Sequence, residues 1–395
     1  MTYRSIKAET YTLAPATEVQ GDGDEQRGVF PGLLGRSEAD PLALADGSSA
    51  PSVRCSVCAH RCLIRPGRRG ICGVRANHGG RLVSLVYGEA VAAQLEPIEK
   101  KPLFHVHPGS LAYSISTRGC NFHCRFCQNW EIAQADREGL RPRAEHLPPE
   151  VVVARALAAG ARSIAYTYVE PAVFLEYALD TARLARQAGL ANVFVTNGYE
   201  TPEAIDLMAP LIDAANVDLK GFDDAFYRRV CGARLEPVKE ALLEMRAAGI
   251  WLEVTTLLIP GLNDGRAEIG ALVEWLVASL GPDTPWHVSR FFPAHRLSAT
   301  PPTPISTLRL AASLGRRAGL RHVYLGNAGE FDEIDTRCPG CGSPLIERRD
   351  YRARVVGLQD GRCVRCGREL AGVGLSPSGD VAPASVSDDL LETPA

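Results

Sequence analysis

Eleven of the chain's twelve cysteines fall into three tight groups, and this placement constrains the fold more than any other feature. Cys55, Cys58, Cys62 and Cys72 form the first group, Cys120, Cys124 and Cys127 the second, and Cys338, Cys341, Cys363 and Cys366 the third, while Cys231 stands apart. Cysteines at such spacing are metal ligands or disulfide partners, and the redox compartment decides between the two. The start MTYRSIKAETYT lacks the charged-then-apolar layout of a secretory leader, and no apolar run is long enough to span a bilayer. A cytoplasmic location with reduced thiols is therefore expected, and the groups read as metal sites. With 43 Lys and Arg against 46 Asp and Glu, the formal charge of -3 supplies no basic field for nucleic acid or an anionic membrane. A small molecule or another protein is the expected partner.

Between residues 111 and 326, strand-like runs alternate with helical ones. The strand segments are LAYSIST, SIAYTYV, NVFVTNG, NVDLKG, WLEVTTLLI, WHVSRFF and HVYLGN. A helical run begins at Ala172, a second carries Val238, Leu242 and Met245, and a third places Ile269, Leu272, Val273 and Leu276 on one face at i, i+3, i+4, i+7 spacing. Such alternation favours a parallel sheet with right-handed crossovers, and six units suffice for a full or partial barrel whose chemistry sits where strands end. The expected divisions are a flexible segment over 1–50 with a short ordered piece around 29–34, a four-cysteine module over 51–108, a barrel over 109–335, a metal ribbon over 336–373 and a flexible tail over 374–395.

Cys120, Cys124 and Cys127 follow the first strand with spacing C-x3-C-x2-C, and Phe126 precedes the last of them. Three thiolates on a short loop can hold three irons of a [4Fe-4S] cluster, leaving the fourth iron open, whereas an electron-carrying cluster normally takes four cysteines. The alternatives are a zinc site completed by His123, or thiols without metal. Cys338-x2-Cys341 and Cys363-x2-Cys366, twenty-one residues apart, are two knuckles that together complete a closed tetrahedral zinc ribbon. The first group, Cys55-x2-Cys58-x3-Cys62-x9-Cys72, fills either a structural zinc site, the reading placed first, or a second [4Fe-4S] cluster, and the count does not discriminate. His60, His105 and His107 are available to metal sites but none is required. Zinc ribbons also occur in nucleic-acid machinery, and the run from Glu347 to Arg354 is arginine-rich, but its interleaved acids disfavour that partner. Cys231 reads as a small buried hydrophobe, with a redox role as the alternative.

The C-x3-C-x-aromatic-C loop at the end of a first barrel strand resembles the radical S-adenosylmethionine (SAM) superfamily. The resemblance implies a partial (β/α)6 radical SAM barrel. It also implies a [4Fe-4S] cluster on Cys120, Cys124 and Cys127 that cleaves SAM to methionine and a 5'-deoxyadenosyl radical, with an electron donor such as flavodoxin or ferredoxin. SAM contacts are implied for Phe126, Glu170, Asn197, Asp218, Lys220 and His295. Glu170 lies in Tyr168-Val169-Glu170-Pro171, at the place of the family's GGE-type motif, although the two glycines are missing. Asp218 and Lys220 sit in a DLK segment like that of pyruvate formate-lyase activating enzymes, where a lysine would pair with the SAM carboxylate; an ordinary ion pair is the alternative. Thr196-Asn197-Gly198 and the segment from Ile259 to Asp264 resemble stretches lining the ribose and adenine, or are simple turns. His295 in FFPAH falls where an LPYH-like segment lies near SAM, or is a satisfied polar residue.

Residues 52–373, including the stretch from Cys55 into STRGCNFHCRFCQNWEIAQ, resemble more narrowly the radical SAM component of the AmmeMemoRadiSam system, found beside Memo-like and AMMECR-like proteins. Glu99-Lys100-Lys101-Pro102 is part of that likeness. The implied activity is hydrogen abstraction from an unidentified substrate, with a Memo-like or AMMECR-like protein partner as one candidate. The alternatives are activation of a glycyl radical enzyme, and a non-catalytic zinc-ribbon scaffold or nucleic-acid binder.

Overall fold

The computed structural model describes residues 30–38, 50–329 and 333–375, so the flexibility expected of 1–29, 39–49 and 376–395 falls outside the described residues. Its centre is an eight-stranded sheet. In chain order the strands are β1 (Ala92–Pro97), β2 (Leu111–Ser116), β3 (Ser163–Tyr166), β4 (Ala191–Thr196), β5 (Ala214–Asp218), β6 (Trp251–Leu258), β7 (Trp286–Arg290) and β8 (Val323–Gly326), and each neighbours the next in space. From β2 to β8 every pairing is parallel, and β1 lies antiparallel against β2 at the edge. All seven strand segments read from the sequence form this parallel array. They are legible because both faces of the sheet are buried, the helices covering one and the barrel interior the other, which selects continuous apolar runs such as the fully buried SIAY of β3. The expected six strand-helix units are present as six crossovers, but the sheet goes beyond them by a seventh parallel strand and by β1, whose AAQLEP carries no apolar alternation.

The principal crossover helices are α1 (Pro149–Ala158), α2 (Leu175–Gln187), α3 (Pro202–Met208), α4 (Leu235–Ala247), α5 (Arg266–Leu280) and α6 (Ile305–Ala318). On α5, Ile269, Leu272, Val273, Leu276 and Leu280 are buried, extending the expected stripe by one turn. The helical run expected from Ala172 begins as a 3-10 turn over Pro171–Phe174, and α2 proper starts at Leu175. Helix α3 starts with Pro202, and the hydroxyl of its cap Thr201 accepts from Ala204 N at 3.2 Å.

Short antiparallel strands form the N-terminal module. Phe30–Pro31 pairs with Arg81–Ser84, and Gly35–Glu38 with Ser52–Cys55, so the ordered piece expected around 29–34 reaches Glu38. This module docks on the loop after β4: Ala59 N donates to Tyr199 O at 2.8 Å and Thr201 N to Val57 O at 3.2 Å.

The opposite end of the barrel is closed by residues 98–108 and the C-terminal ribbon. Glu253, near the start of β6, accepts from Phe104 N (2.9 Å), His105 N (2.7 Å) and His287 Nε2 (2.7 Å). Arg348, fully buried on the ribbon strand Pro344–Arg349, donates to Phe104 O at 2.6 Å and Thr336 Oγ1 at 2.8 Å, with its guanidinium 4.3 Å from the Phe104 ring centre. The arginine-rich run is thus no free basic face: Arg348 is core, and Arg354 pairs with Glu347 at 2.8 Å.

Candidate functional site

The second cysteine group sits at the C-terminal end of β2. Gly119 opens the loop with φ +91°, and a Cβ there would lie 2.6 Å from Val74 and 2.9 Å from Cys72 O, so only glycine lets the loop approach the N-terminal module. His123 N donates to Cys231 O at 2.7 Å and Arg125 N to Val230 O at 3.0 Å, which pins the loop to a π-turn over Tyr227–Cys231. Gln134 Nε2 donates to Phe122 O at 2.9 Å from the following helical turn. Burial, aided by the Glu170 carboxylate, pushes the Cys120 thiol well up, and burial pushes Cys127 up to about 12. Cys124 moves the other way, first through a hydrogen bond from Cys231 and then through Lys220, against burial. Cys231 was expected to be a passive core residue; it is buried, and its thiol also touches a cysteine of the loop.

All three cysteines face one open cleft, lined by residues at the C-terminal ends of β2 to β7 and by Lys100 and Lys101. Of the residues implied to contact SAM, Phe126, Glu170, Asn197, Asp218 and Lys220 line this cleft. Lys220 Nζ lies 2.8 Å from Asp218 Oδ2 and 5.8 Å from the Phe126 ring centre. Burial alone would lower its pKa, but the adjacent Asp218 carboxylate and Cys124 hold the ammonium well above its ordinary value. The pair is no surface ion pair, since the Lys220 side chain is only 13% exposed. Asn263, in the turn after β6, donates to Lys220 O at 2.6 Å and accepts from Ile259 N at 2.7 Å, so its amide braces the lysine from outside the cleft.

Glu170 is committed to the protein itself. Its carboxylate accepts from Ala172 N (3.1 Å), Asn197 N (2.7 Å) and Thr196 Oγ1 (2.9 Å), tying the end of β3 to the end of β4. Burial, then the neighbouring Glu200 carboxylate, raises its pKa well above the usual range. Two carboxyl groups joined through Thr196 share protons more readily than they share charge. Tyr168, two residues earlier, is held at φ +66°, its carbonyl accepting from Asn129 Nδ2 at 2.9 Å and its hydroxyl donating to Glu96, which also binds Lys101. Asn197 Nδ2 donates to Asn121 Oδ1 at 2.7 Å, while Asn197 Oδ1 and Asn121 Nδ2 have no protein partner. His295 is placed apart from the lining residues: it stacks on Trp130 at 5.1 Å, and the adjacent Arg296 N donates to Arg125 O at 2.9 Å, so this segment buttresses the cysteine loop.

The other two groups differ in geometry. Cys338, Cys341, Cys363 and Cys366 place all four sulfurs within 4.8 Å of one another, with Cys338 to Cys366 at 3.5 Å and Cys341 to Cys363 at 3.7 Å, an arrangement that can hold a metal ion. Cys55, Cys58, Cys62 and Cys72 instead ring a separate cavity beside Arg75 and Asn121. His60 Nε2 donates to Asn121 O at 2.9 Å. His105 spends both ring nitrogens, on Ala371 O (2.8 Å) and Tyr324 OH (2.7 Å). No helix among the described residues is long and apolar enough to cross a membrane.

Comparison with known proteins places this geometry. The profile described as Radical SAM superfamily matches residues 114–276. An uncharacterized protein of Methanocaldococcus jannaschii is 41% identical over 320 residues, 80% of this chain and 95% of the relative. An isethionate sulfite-lyase activating enzyme of Nitratidesulfovibrio vulgaris is 30% identical over 130 residues, 32% of this chain and 40% of that enzyme. Among solved structures, a domain of a pyruvate-formate lyase-activating enzyme from Bacteroides vulgatus is similar at TM-score 0.37 and 18% identity, over 42% of this chain and 99% of that one. Streptococcus suis SuiB bound to precursor peptide SuiA is similar at TM-score 0.44 and 11% identity, over 59% and 52%.

Proposed function

The chain is a radical SAM superfamily enzyme, and from that premise we propose that it cleaves SAM reductively at Cys120, Cys124 and Cys127 and removes a hydrogen atom from a substrate that is itself a protein. The observation that carries the reading is the convergence of exactly three thiols and a buried cation, Lys220, on one cleft large enough for a cluster and a nucleoside. Bound there, a [4Fe-4S] cluster with an open iron supplies the electron and the chelation that SAM cleavage needs.

The chain's residues bind and orient. Lys220, desolvated and braced through Asn263, holds the methionine carboxylate, and Asp218 keeps it charged. Asn197 offers its free carbonyl oxygen, while Glu170 acts through the backbone, fixing the loops after β3 and β4 rather than presenting a carboxylate. Phe126 packs behind Lys220. His295 positions the cysteine loop from behind. The third cysteine group takes zinc, the metal whose tetrahedral sulfur spacing it matches. The continuous likeness over 52–373 supports placement in the AmmeMemoRadiSam branch, a cytoplasmic location, a flavodoxin-like or ferredoxin-like electron donor, and a Memo-like or AMMECR-like protein as the substrate to test first.

Anaerobically reconstituted protein reduced with dithionite should convert SAM to 5'-deoxyadenosine and methionine, and a chain with a filled cluster that fails to do so overturns the reading. The stretch 30% identical to an activating enzyme favours one second reading, glycyl radical activation. A stable glycyl radical on a partner protein, seen by electron paramagnetic resonance, would select it; modification without such a radical selects the first.

A further inference from the structure

The first cysteine group has the wrong shape for the metal that suits the third. Zn–S bonds of about 2.3 Å put tetrahedral sulfurs about 3.8 Å apart, as at Cys338 to Cys366 (3.5 Å) and Cys341 to Cys363 (3.7 Å). Among the described residues, that C-terminal set is the only one whose ligand atoms gather within 4.8 Å. Cys55, Cys58, Cys62 and Cys72 do not gather within that distance and instead ring a cavity beside Arg75. A single ion needs its four sulfurs gathered closely around it, whereas a cubane of four irons and four sulfides meets four more widely set thiolates, each at a corner. We propose that Cys55, Cys58, Cys62 and Cys72 bind a second [4Fe-4S] cluster rather than zinc, sharing a wall with the SAM cleft.

Two further observations support the assignment. Arg75, only 3% exposed, lines this cavity; its Nη atoms bind Glu176 at 2.6 and 2.9 Å, while its Nε hydrogen has no partner in the protein. An unpaired guanidinium donor at the wall is what the sulfides of an anionic cluster accept from. The wall is also thin. Asn121 lines the first cavity, its neighbour Cys120 lines the cleft, and Gly119 packs against Cys72 O where no side chain fits. Four thiolates leave no open iron, so this site is confined to one-electron exchange and cannot chelate SAM or substrate.

The inference deepens the cofactor content of the proposed function but does not depend on SAM cleavage, because its test counts metal. The full chain carrying Cys120→Ala, Cys124→Ala and Cys127→Ala is reconstituted anaerobically with iron and sulfide, then assayed for iron, acid-labile sulfide and zinc. About four irons and four sulfides per chain, with about one zinc, is the expected result. Absence of iron with about two zinc ions overturns the proposal. If that variant does not fold, wild type is compared with the chain carrying Cys55→Ala, Cys58→Ala, Cys62→Ala and Cys72→Ala: iron should fall from about eight to about four per chain, and equal iron in both overturns the proposal. Loss of SAM cleavage with unchanged iron would count against the proposed function alone.

Discussion

Replacing Arg75 with Met isolates the energetics of the ion pair that carries the first cysteine group's wall. Arg75 and Glu176 are 3% and 2% exposed, meet at 2.6 Å, and lie 101 residues apart, joining a strand of the N-terminal module to α2. Methionine preserves most of the volume, so little cavity cost is added. The loss comes from Glu176, left with Leu33 N (2.5 Å) as its remaining donor for a buried carboxylate. Breaking one side of such a pair costs about 3–5 kcal/mol, whereas replacing both partners with apolar residues is often neutral. With a urea slope near 3 kcal/mol per molar, the unfolding midpoint of Arg75→Met should drop by about 1–1.7 M at unchanged slope. Arg75→Met/Glu176→Leu should recover most of that loss. Both variants lack the same arginine, so any effect on metal loading cancels between them. A single variant that loses under about 1 kcal/mol, or a double variant no better than the single, would refute the argument by showing that water reaches Glu176.

Further outcomes follow from other parts of the site. Lys220→Met removes a charge-assisted hydrogen bond of about 1.5–3 kcal/mol and should raise the Kd for SAM about 10–150-fold in equilibrium dialysis of cluster-loaded protein; a change under about threefold would exclude a carboxylate contact. Cys231→Ala removes a hydrogen bond that favours extra negative charge on Cys124, so the central cluster's potential should fall by roughly 20–65 mV for a bond of about 0.5–1.5 kcal/mol, read by redox titration. A rise would reverse the sign of the reasoning. Glu99 has its pKa pushed up to about 7 by burial, against the pull of Arg348 and Gly109 N. The folded chain therefore keeps a proton that the unfolded chain releases above its ordinary value of 4.5. This contribution to stability is present below that value and is lost as pH rises toward 7, by at most about 3 kcal/mol. Urea midpoints of Glu99→Gln should lack that slope; an unchanged profile would assign it elsewhere. Cys341→Ala should lose about one zinc per chain and no iron by elemental analysis; zinc retention would show that the four C-terminal sulfurs do not act together.

The parts of the fold that were legible in sequence are those where local composition and burial agree. The run of β3 is buried throughout and that of β6 at all but Trp251 and Leu257, so both could be read without knowing their neighbours. Strand β1 could not, because it earns its place through backbone pairing with β2 rather than through apolar alternation. At the site, cysteine spacing identified three groups, but only the sulfur positions separate the compact C-terminal tetrahedron from an N-terminal set that does not gather so closely. Cys231 has no spacing signature; a π-turn 107 residues after Cys124 delivers it, as the numbering shows. Glu170 was legible as a site residue and illegible in its manner of acting, since its hydrogen bonds run to amides whose positions depend on where β3 and β4 end. Asn121 passed unnoticed because its importance comes from standing between two cavities.

The closed floor of the barrel has a consequence for the order in which the protein is made. Residues 104–107 are synthesised before any parallel strand, yet their backbone partners arrive last: Phe104 O waits for Arg348, and His105 O and His107 N for Val373. Domains generally fold from the N-terminus during synthesis, so a nascent chain long enough to have built the cysteine loop still has an open base. A chain stopped before residue 348 would leave the Phe104 carbonyl and the ring beneath it without the guanidinium that covers them. The barrel can therefore be shut from below only after Arg348 and Val373 have left the ribosome, long after the cysteine loop has been made.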